Sequence, residues 1–244
     1  MQTPADGLRR VTREEMKLID SMATAAYGIP ALVLMENAGR EVSESVMALM
    51  KERGTPGAPV VVFASTGHNG GDGLVAARYL INAGLTVQVL LVGRNPEAAT
   101  HDTIVNLKIL KRMGVEVKEL RQPMHVLDAV EACQALAPGA AVDALLGTGF
   151  SAITGAVKEP IATAIDVIAK LGVPVVAADI PSGLDGNTGQ VIGKAVKADW
   201  TVAFGLPKVG FFAPGAADYL GRLTVAHIGF PRTLLDGKAP AVSA

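Results

Sequence analysis

The chain has 244 residues, 50% of them hydrophobic, with 22 Lys and Arg against 23 Asp and Glu for a formal net charge of -1. That length and hydrophobicity suit one large domain with a sizeable core and exclude disorder over most of it. Balanced charge removes the electrostatic case for a nucleic-acid or anionic-membrane partner, and no apolar run approaches the roughly 18 residues of a membrane helix.

The opening MQTPADGLRR lacks the apolar stretch of a signal peptide, and Cys133 is the only cysteine. Neither a disulfide nor a Cys-rich zinc site can be built, so a cytoplasmic setting is expected, with Cys133 as buried filler. Residues 8–230 read as one domain, with residues 1–7 and 236–244 as flexible ends. Thr12 to Glu15 spells a capping box, and two helical stretches run to about Lys51 as an N-terminal extension.

Beyond them, seven compact apolar runs alternate with helical stretches: Val60–Ala64, Val87–Val92, Val115–Val117, Ala141–Leu146, Val175–Ile180, Thr201–Phe204 and Leu223–His227. Such runs are strands covered on both faces, so the fold class is α/β, doubly wound around a largely parallel sheet. Asn95-Pro96 reads as a helix start, the stripe Ile104, Leu107 and Leu110 follows, and Gly114 closes it, as Gly84 and Gly172 close two others. Ligands of this architecture sit beyond the carboxyl ends of the strands.

Three loops there carry chemistry. The first, Ser65–Gly73, precedes the helical stretch Leu74–Ala83; its glycines bring backbone N–H groups close to a ligand, and a helix N-terminus favours an anion. It is no Walker loop, since no Lys-Ser/Thr pair follows. Gly71-x-Gly73-x-x-Ala76 matches the dinucleotide string but begins several residues after the strand, with Asp72 where a pyrophosphate should lie. Asp72 divides evenly between helix N-cap and ligand contact.

The second loop, Gly147–Ser151, follows a strand that contains Asp143. A carboxylate there is expensive unless it is met by a cation or by several donors. Bracing of a neighbouring loop ranks ahead of metal ligation on spacing alone. The third loop, Asp179–Gly186, is rich in turn formers, but Asp179 stands before the turn, where α/β enzymes place acid–base groups. Lys208 reads as a solvated lysine, with phosphate contact as its alternative. The four histidines show no metal spacing, and no G-x-S-x-G elbow occurs.

Met35-Glu36-Asn37-Ala38-Gly39, the Gly67–Gly73 loop running into Leu74-Val75-Ala76-Ala77-Arg78, Val142–Gly149 and Asp179-Ile180-Pro181-Ser182-Gly183 together resemble the NAD(P)H-hydrate epimerase family, the YjeF N-terminal domain, in its stand-alone form. The resemblance spans almost the whole chain. It implies a three-layer Rossmann-like sandwich with an N-terminal helical extension, usually a homodimer, that interconverts the R and S forms of hydrated NADH and NADPH. A separate dehydratase would then act on the S form.

By the same resemblance the potassium ligands fall on Asn69, Asp143 and Ser182, and a potassium ion is the expected cofactor. Amide, carboxylate and hydroxyl oxygens are hard donors suited to such an ion. Substrate contacts fall on His68, Asn69, Gly70, Gly71, Asp72, Gly147, Thr148, Gly149, Phe150, Ser151, Ala152, Ile153 and Asp179. Epimerisation needs a proton donor and acceptor, for which Asp179 is the first choice and Asp72 the second. The chain departs from the family pattern at Ser65, where a glycine is usual, and at His68, where an asparagine is. The competing readings are a non-catalytic scaffold or nucleotide-binding domain of the same fold, and an NAD(P)-dependent dehydrogenase using Arg94 on a 2′-phosphate.

Overall fold

Strands form where apolar residues run uninterrupted, and the computed structural model, which describes residues 2–93, 95, 99–151, 153 and 155–238, arranges them in one sheet. Its strands are β1 (Gln2–Pro4), β2 (Val60–Ser65), β3 (Val87–Val92), β4 (Val117–Leu120), β5 (Ala140–Ala144), β6 (Val175–Ala178), β7 (Trp200–Phe204) and β8 (Arg222–Ala226). The order across the sheet is β1-β8-β7-β6-β5-β2-β3-β4. Every pair is parallel except β1 with β8.

Alternate residues of each strand feed opposite faces. Val60, Val62 and Ala64 of β2 pack with α1 (Arg13–Tyr27), α2 (Ala31–Glu52), α3 (His68–Asn82) and α4 (His101–Arg112). Val61 and Phe63 pack with α5 (Pro123–Ala135) and α6 (Ile161–Leu171), where Cys133 is buried as expected. These are the three layers of the α/β sandwich. Each large apolar side chain lost to water in this way contributes about 1.5–3 kcal/mol. The capping box of α1 forms as spelled: Thr12 Oγ1 accepts from the Glu15 amide at 3.1 Å, and Glu15 accepts from the Thr12 amide at 2.7 Å. Two short helices, α7 (Ala217–Leu220) and α8 (Arg232–Leu235), flank β8.

Several element boundaries differ from expectation. Gln2–Pro4, placed in a flexible end, is an edge strand, tied down by Gln2 Nε2 donating to Ser45 Oγ at 2.7 Å and Thr224 Oγ1 donating to Gln2 Oε1 at 2.7 Å. Val115 completes the cap of α4 through its amide and Leu110 O at 3.1 Å, so β4 starts at Val117. As an edge strand, β4 is only half-buried and lacks an apolar run. Helix α4 itself begins at His101 after Thr100; Pro96 and Arg94, on which two readings rested, lie outside the described residues. Lastly, α3 takes in the glycine stretch from His68 onward, and β6 stops at Ala178, both with consequences for the site.

Among the described residues no helix is long and apolar enough to cross a membrane. The sheet reverses direction of growth between β2 and β5: from β2 the chain builds outward to β3 and β4, then returns to β5 and proceeds the other way. A crevice opens at the carboxyl ends of that pair.

Candidate functional site

At the end of β2 the chain turns sharply into α3. Gly67 is the N-cap, without a side-chain cap, and its amide donates to Ser65 Oγ at 3.3 Å. A Cβ on Gly70 would lie 1.8 Å from the Ser65 carbonyl oxygen, and one on Gly71 would lie 2.5 Å from the Met35 methyl carbon. Both glycines therefore serve close packing of the helix start on the strand end and on α2. Gly73 packs likewise on Ala144. The dinucleotide string thus falls inside a helix, and Asp72, in the second turn of α3, is not an N-cap.

Above the carboxyl ends of β2, β5 and β6 lies a cavity of about 880 Å³. Of the residues named from the sequence, His68, Asn69, Asp72, Gly147 to Phe150 and Asp179 line it. Gly70, Gly71, Ser151 and Ile153 do not, and Ile153 is 90% exposed; Ala152 lies outside the described residues. Ser65 forms part of the wall. Arg13, almost buried, donates to Phe150 O at 3.3 Å and holds the second loop in place.

Asp143 lies under the floor, fully buried. Its carboxylate accepts from the Ser182 amide at 2.8 Å, from Ser182 Oγ at 2.6 Å and from the Leu145 amide at 3.2 Å. Burial pushes it up to about 6, against the pull of those hydrogen bonds. Ser182 Oγ also accepts from the Leu146 amide at 2.9 Å, which takes Leu145 and Leu146 out of the ladder and ends β5 early. The bracing anticipated for Asp143 is thus present. Asn69 Nδ2 donates to Leu146 O at 3.1 Å, while its Oδ1 is buried with no hydrogen-bond partner.

Asp179 ends β6 because its φ is 63°, a left-handed value rare outside glycine. That twist turns its carboxylate into the cavity floor, where it accepts from the Phe204 amide at 3.2 Å and pairs with the Lys208 ammonium. Lys208 has 0% exposure and also donates to Phe204 O at 3.2 Å. It is a buried ion-pair partner and not the solvated lysine expected.

Two further carboxyl groups face the same space. Burial pushes Asp72 well above the usual carboxylate range, with repulsion from Asp179 and Asp20 adding to it. Asp20, on α1, is exposed toward the cavity, yet the protein around its carboxyl pushes it up to about 6, aided by Asp179 and opposed by Lys208.

Sequence reasoning missed Asp20 and misjudged Lys208. The signal for Asp20 was its place in the inward stripe Met16, Asp20, Ala23 and Tyr27 of an amphipathic helix. For Lys208 it was a lone charge in the otherwise apolar Phe204–Phe212.

The Met35–Gly39 motif fastens helices. Glu36 pairs with Arg78 and accepts from Tyr79 Oη at 2.8 Å, and Asn37 Nδ2 donates to Ile228 O at 2.7 Å. Gly39 lets α2 approach α3, since a Cβ there would lie 2.4 Å from Val75 Cβ.

Fold and site together define a doubly wound α/β domain with a carboxylate-lined ligand cavity at its topological switch point. The family model described as YjeF-related protein N-terminus matches residues 31–210, and the chain belongs to that family. The NAD(P)H-hydrate epimerase of Rhodopirellula baltica is 34% identical over 239 residues, covering 96% of this chain and 90% of that protein. The NAD(P)H-hydrate epimerase of Lentilactobacillus buchneri is 35% identical over 222 residues, covering 91% and 95%. The bifunctional NAD(P)H-hydrate repair enzyme Nnr of Moorella thermoacetica is 41% identical over 225 residues, covering 92% of this chain but 41% of that protein. The chain thus spans about two fifths of the length of the bifunctional relatives it matches. The crystal structure of yeast ynu0 superposes with a TM-score of 0.78 at 24% identity, covering 97% and 96% of the two chains, and shows the same fold.

Proposed function

We propose that the chain interconverts the R and S forms of hydrated NADH and NADPH. The observation that carries this reading is a cavity that joins a helix N-terminus without a side-chain cap to two carboxyl groups in unlike surroundings, Asp72 buried with no cationic partner among the described residues and Asp179 held by Lys208. Free N–H groups at a helix start suit phosphate oxygens. Relatives named NAD(P)H-hydrate epimerase and matched over nine tenths or more of both chains point to the substrate. A dehydratase consuming one epimer, and a homodimeric assembly, complete this reading.

In the hydrated ring the hydroxyl sits on a carbon beside the ring nitrogen. Loss of water leaves a cation that the nitrogen stabilises, and return of water to the other face inverts the centre. Asp72, disposed by burial to keep its proton, donates it to the departing hydroxyl oxygen; Asp179 accepts a proton from the returning water. One water leaves and one returns, and the proton given is matched by the proton taken.

A potassium ion held by Asn69 Oδ1, Asp143 and Ser182 Oγ belongs to the same proposal. Its support is the partnerless buried Asn69 oxygen and the absence, among the described residues, of a cationic side chain paired with Asp143. When bound, the ion would supply countercharge that joins the first loop to the second and third. Chromatography of the two epimers over time tests the activity: a pure R sample should reach the equilibrium mixture well above the spontaneous rate, and no acceleration refutes the reading.

A further inference from the structure

We propose that Lys208 is a positioning residue of the site, which holds the Asp179 carboxylate aimed into the cavity through their buried ion pair and so separates its role from that of Asp72. The inference rests on the acid–base reading of the cavity given above.

Three carboxyl groups from three elements, Asp20 on α1, Asp72 on α3 and Asp179 at the end of β6, share one cavity. Like charges so placed resist ionising together. Lys208 breaks the tie, because among the described residues its ammonium donates to Asp179 and the Phe204 carbonyl and to neither of the other two carboxyl groups. Of the other titratable groups on the wall, Lys17, His68 and Lys158 are exposed, and Glu159 is occupied by the Thr163 amide at 3.1 Å and hydroxyl at 2.7 Å.

The placement is built into the fold. Lys208 is fully buried, and its backbone is fixed by a parallel bridge to Val11 with the Val209 amide donating to Val11 O at 2.9 Å. The same Phe204 residue gives its amide to Asp179 and its carbonyl to Lys208. One strand end therefore sets the geometry of both partners, and the lysine reaches the chemistry only through the carboxylate.

The test compares Lys208→Met, Lys208→Arg and Asp20→Asn with the wild type. It uses the pH profile of epimerisation kcat and, independently of turnover, the carboxyl carbon-13 titration of Asp179, assigned through Asp179→Asn. In Lys208→Met the Asp179 midpoint and the acid limb of kcat should both rise by roughly 1–3 pH units, the usual effect of losing a neighbouring opposite charge. Lys208→Arg should restore most of that shift. Asp20→Asn, which leaves the ion pair intact, is the control and should leave both near the wild type. If Lys208→Met does not fold, Lys208→Gln, which removes the charge but keeps a hydrogen-bond donor, takes its place. An unmoved midpoint in the variant that removes the charge, or a shift of the same size in Lys208→Arg or Asp20→Asn, overturns the inference. A wild type without epimerase activity removes the proposed reaction, while the carbon-13 titration still shows whether Lys208 governs Asp179.

Discussion

Asp179→Asn is the most informative single change in the cavity. Asparagine is among the few residues at ease at the φ of 63° that Asp179 adopts, so the backbone has no reason to move, as it would for alanine. Both hydrogen bonds to the side chain, from the Phe204 amide and from Lys208, arrive at Oδ1, which an amide oxygen can replace. What is lost is the charge. A fully buried ammonium without its carboxylate typically costs about 3–5 kcal/mol, and the retained hydrogen bonds place this variant toward the lower figure. Turnover should fall roughly 10²–10⁴-fold, the usual worth of an acid–base group, with a much smaller change in KM. The assay is steady-state epimerisation by Asp179→Asn and Asp72→Asn, with urea denaturation of each. If Asp179→Asn keeps full kcat at a raised KM, the residue grips the ligand and transfers no proton. A large kcat loss confined to Asp72→Asn would move all proton transfer to α3.

Two further outcomes follow from the buried polar groups. Thermal melts in potassium and in tetramethylammonium should separate for the wild type, with potassium the more stabilising, and coincide for Asp143→Ala; identical wild-type curves refute the ion site. For Asp20, a native pKa of about 6 against an ordinary 3.8 means that the folded state holds a proton the unfolded chain releases. Stability should therefore fall as pH rises through that window and level off above it, and urea midpoints of Asp20→Asn should show a shallower slope than the wild type, the remainder belonging to Asp143 and Asp72.

The strands of the central sheet were legible because β2, β5, β6 and β7 are buried on both faces and so must be apolar throughout. The edges were not. β1 is three residues long and held by side chains 43 and 222 positions away in sequence, and β4 shows only the half-buried pattern of an outer strand. Within the site, Asp143 stood out because it interrupts an apolar strand, and Asp179 because it stands at a strand's carboxyl end before the turn formers. Asp20 and Lys208 were hidden by the general expectation that charges on helices and loops are solvated, which Arg13, Glu41 and Asp72 also break. The glycines around Asp72 misled in another way: a run that permits a phosphate loop equally permits a helix to start hard against a strand, and only the Ser65 carbonyl 1.8 Å from a notional Gly70 Cβ distinguishes the two.

The Met35–Gly39 motif shows why a shared motif need not mark a reacting group. Asn37 lies in α2, and its side-chain amide donates to Ile228 O at 2.7 Å, holding the segment after β8 against that helix. Ile228 and Phe230 of this segment form part of the cavity wall. Asn37 therefore reaches the site by fixing apolar residues around a ligand. Asn37→Ala leaves one carbonyl unmatched, for about 1 kcal/mol of stability, and loosens that wall. Ligand binding before the chemical step should weaken, so KM should rise severalfold with kcat nearly unchanged. Steady-state kinetics beside a urea melt check this. A fall in kcat at constant KM would place Asn37 among the groups that stabilise the transition state, and the motif would then belong to the chemistry after all.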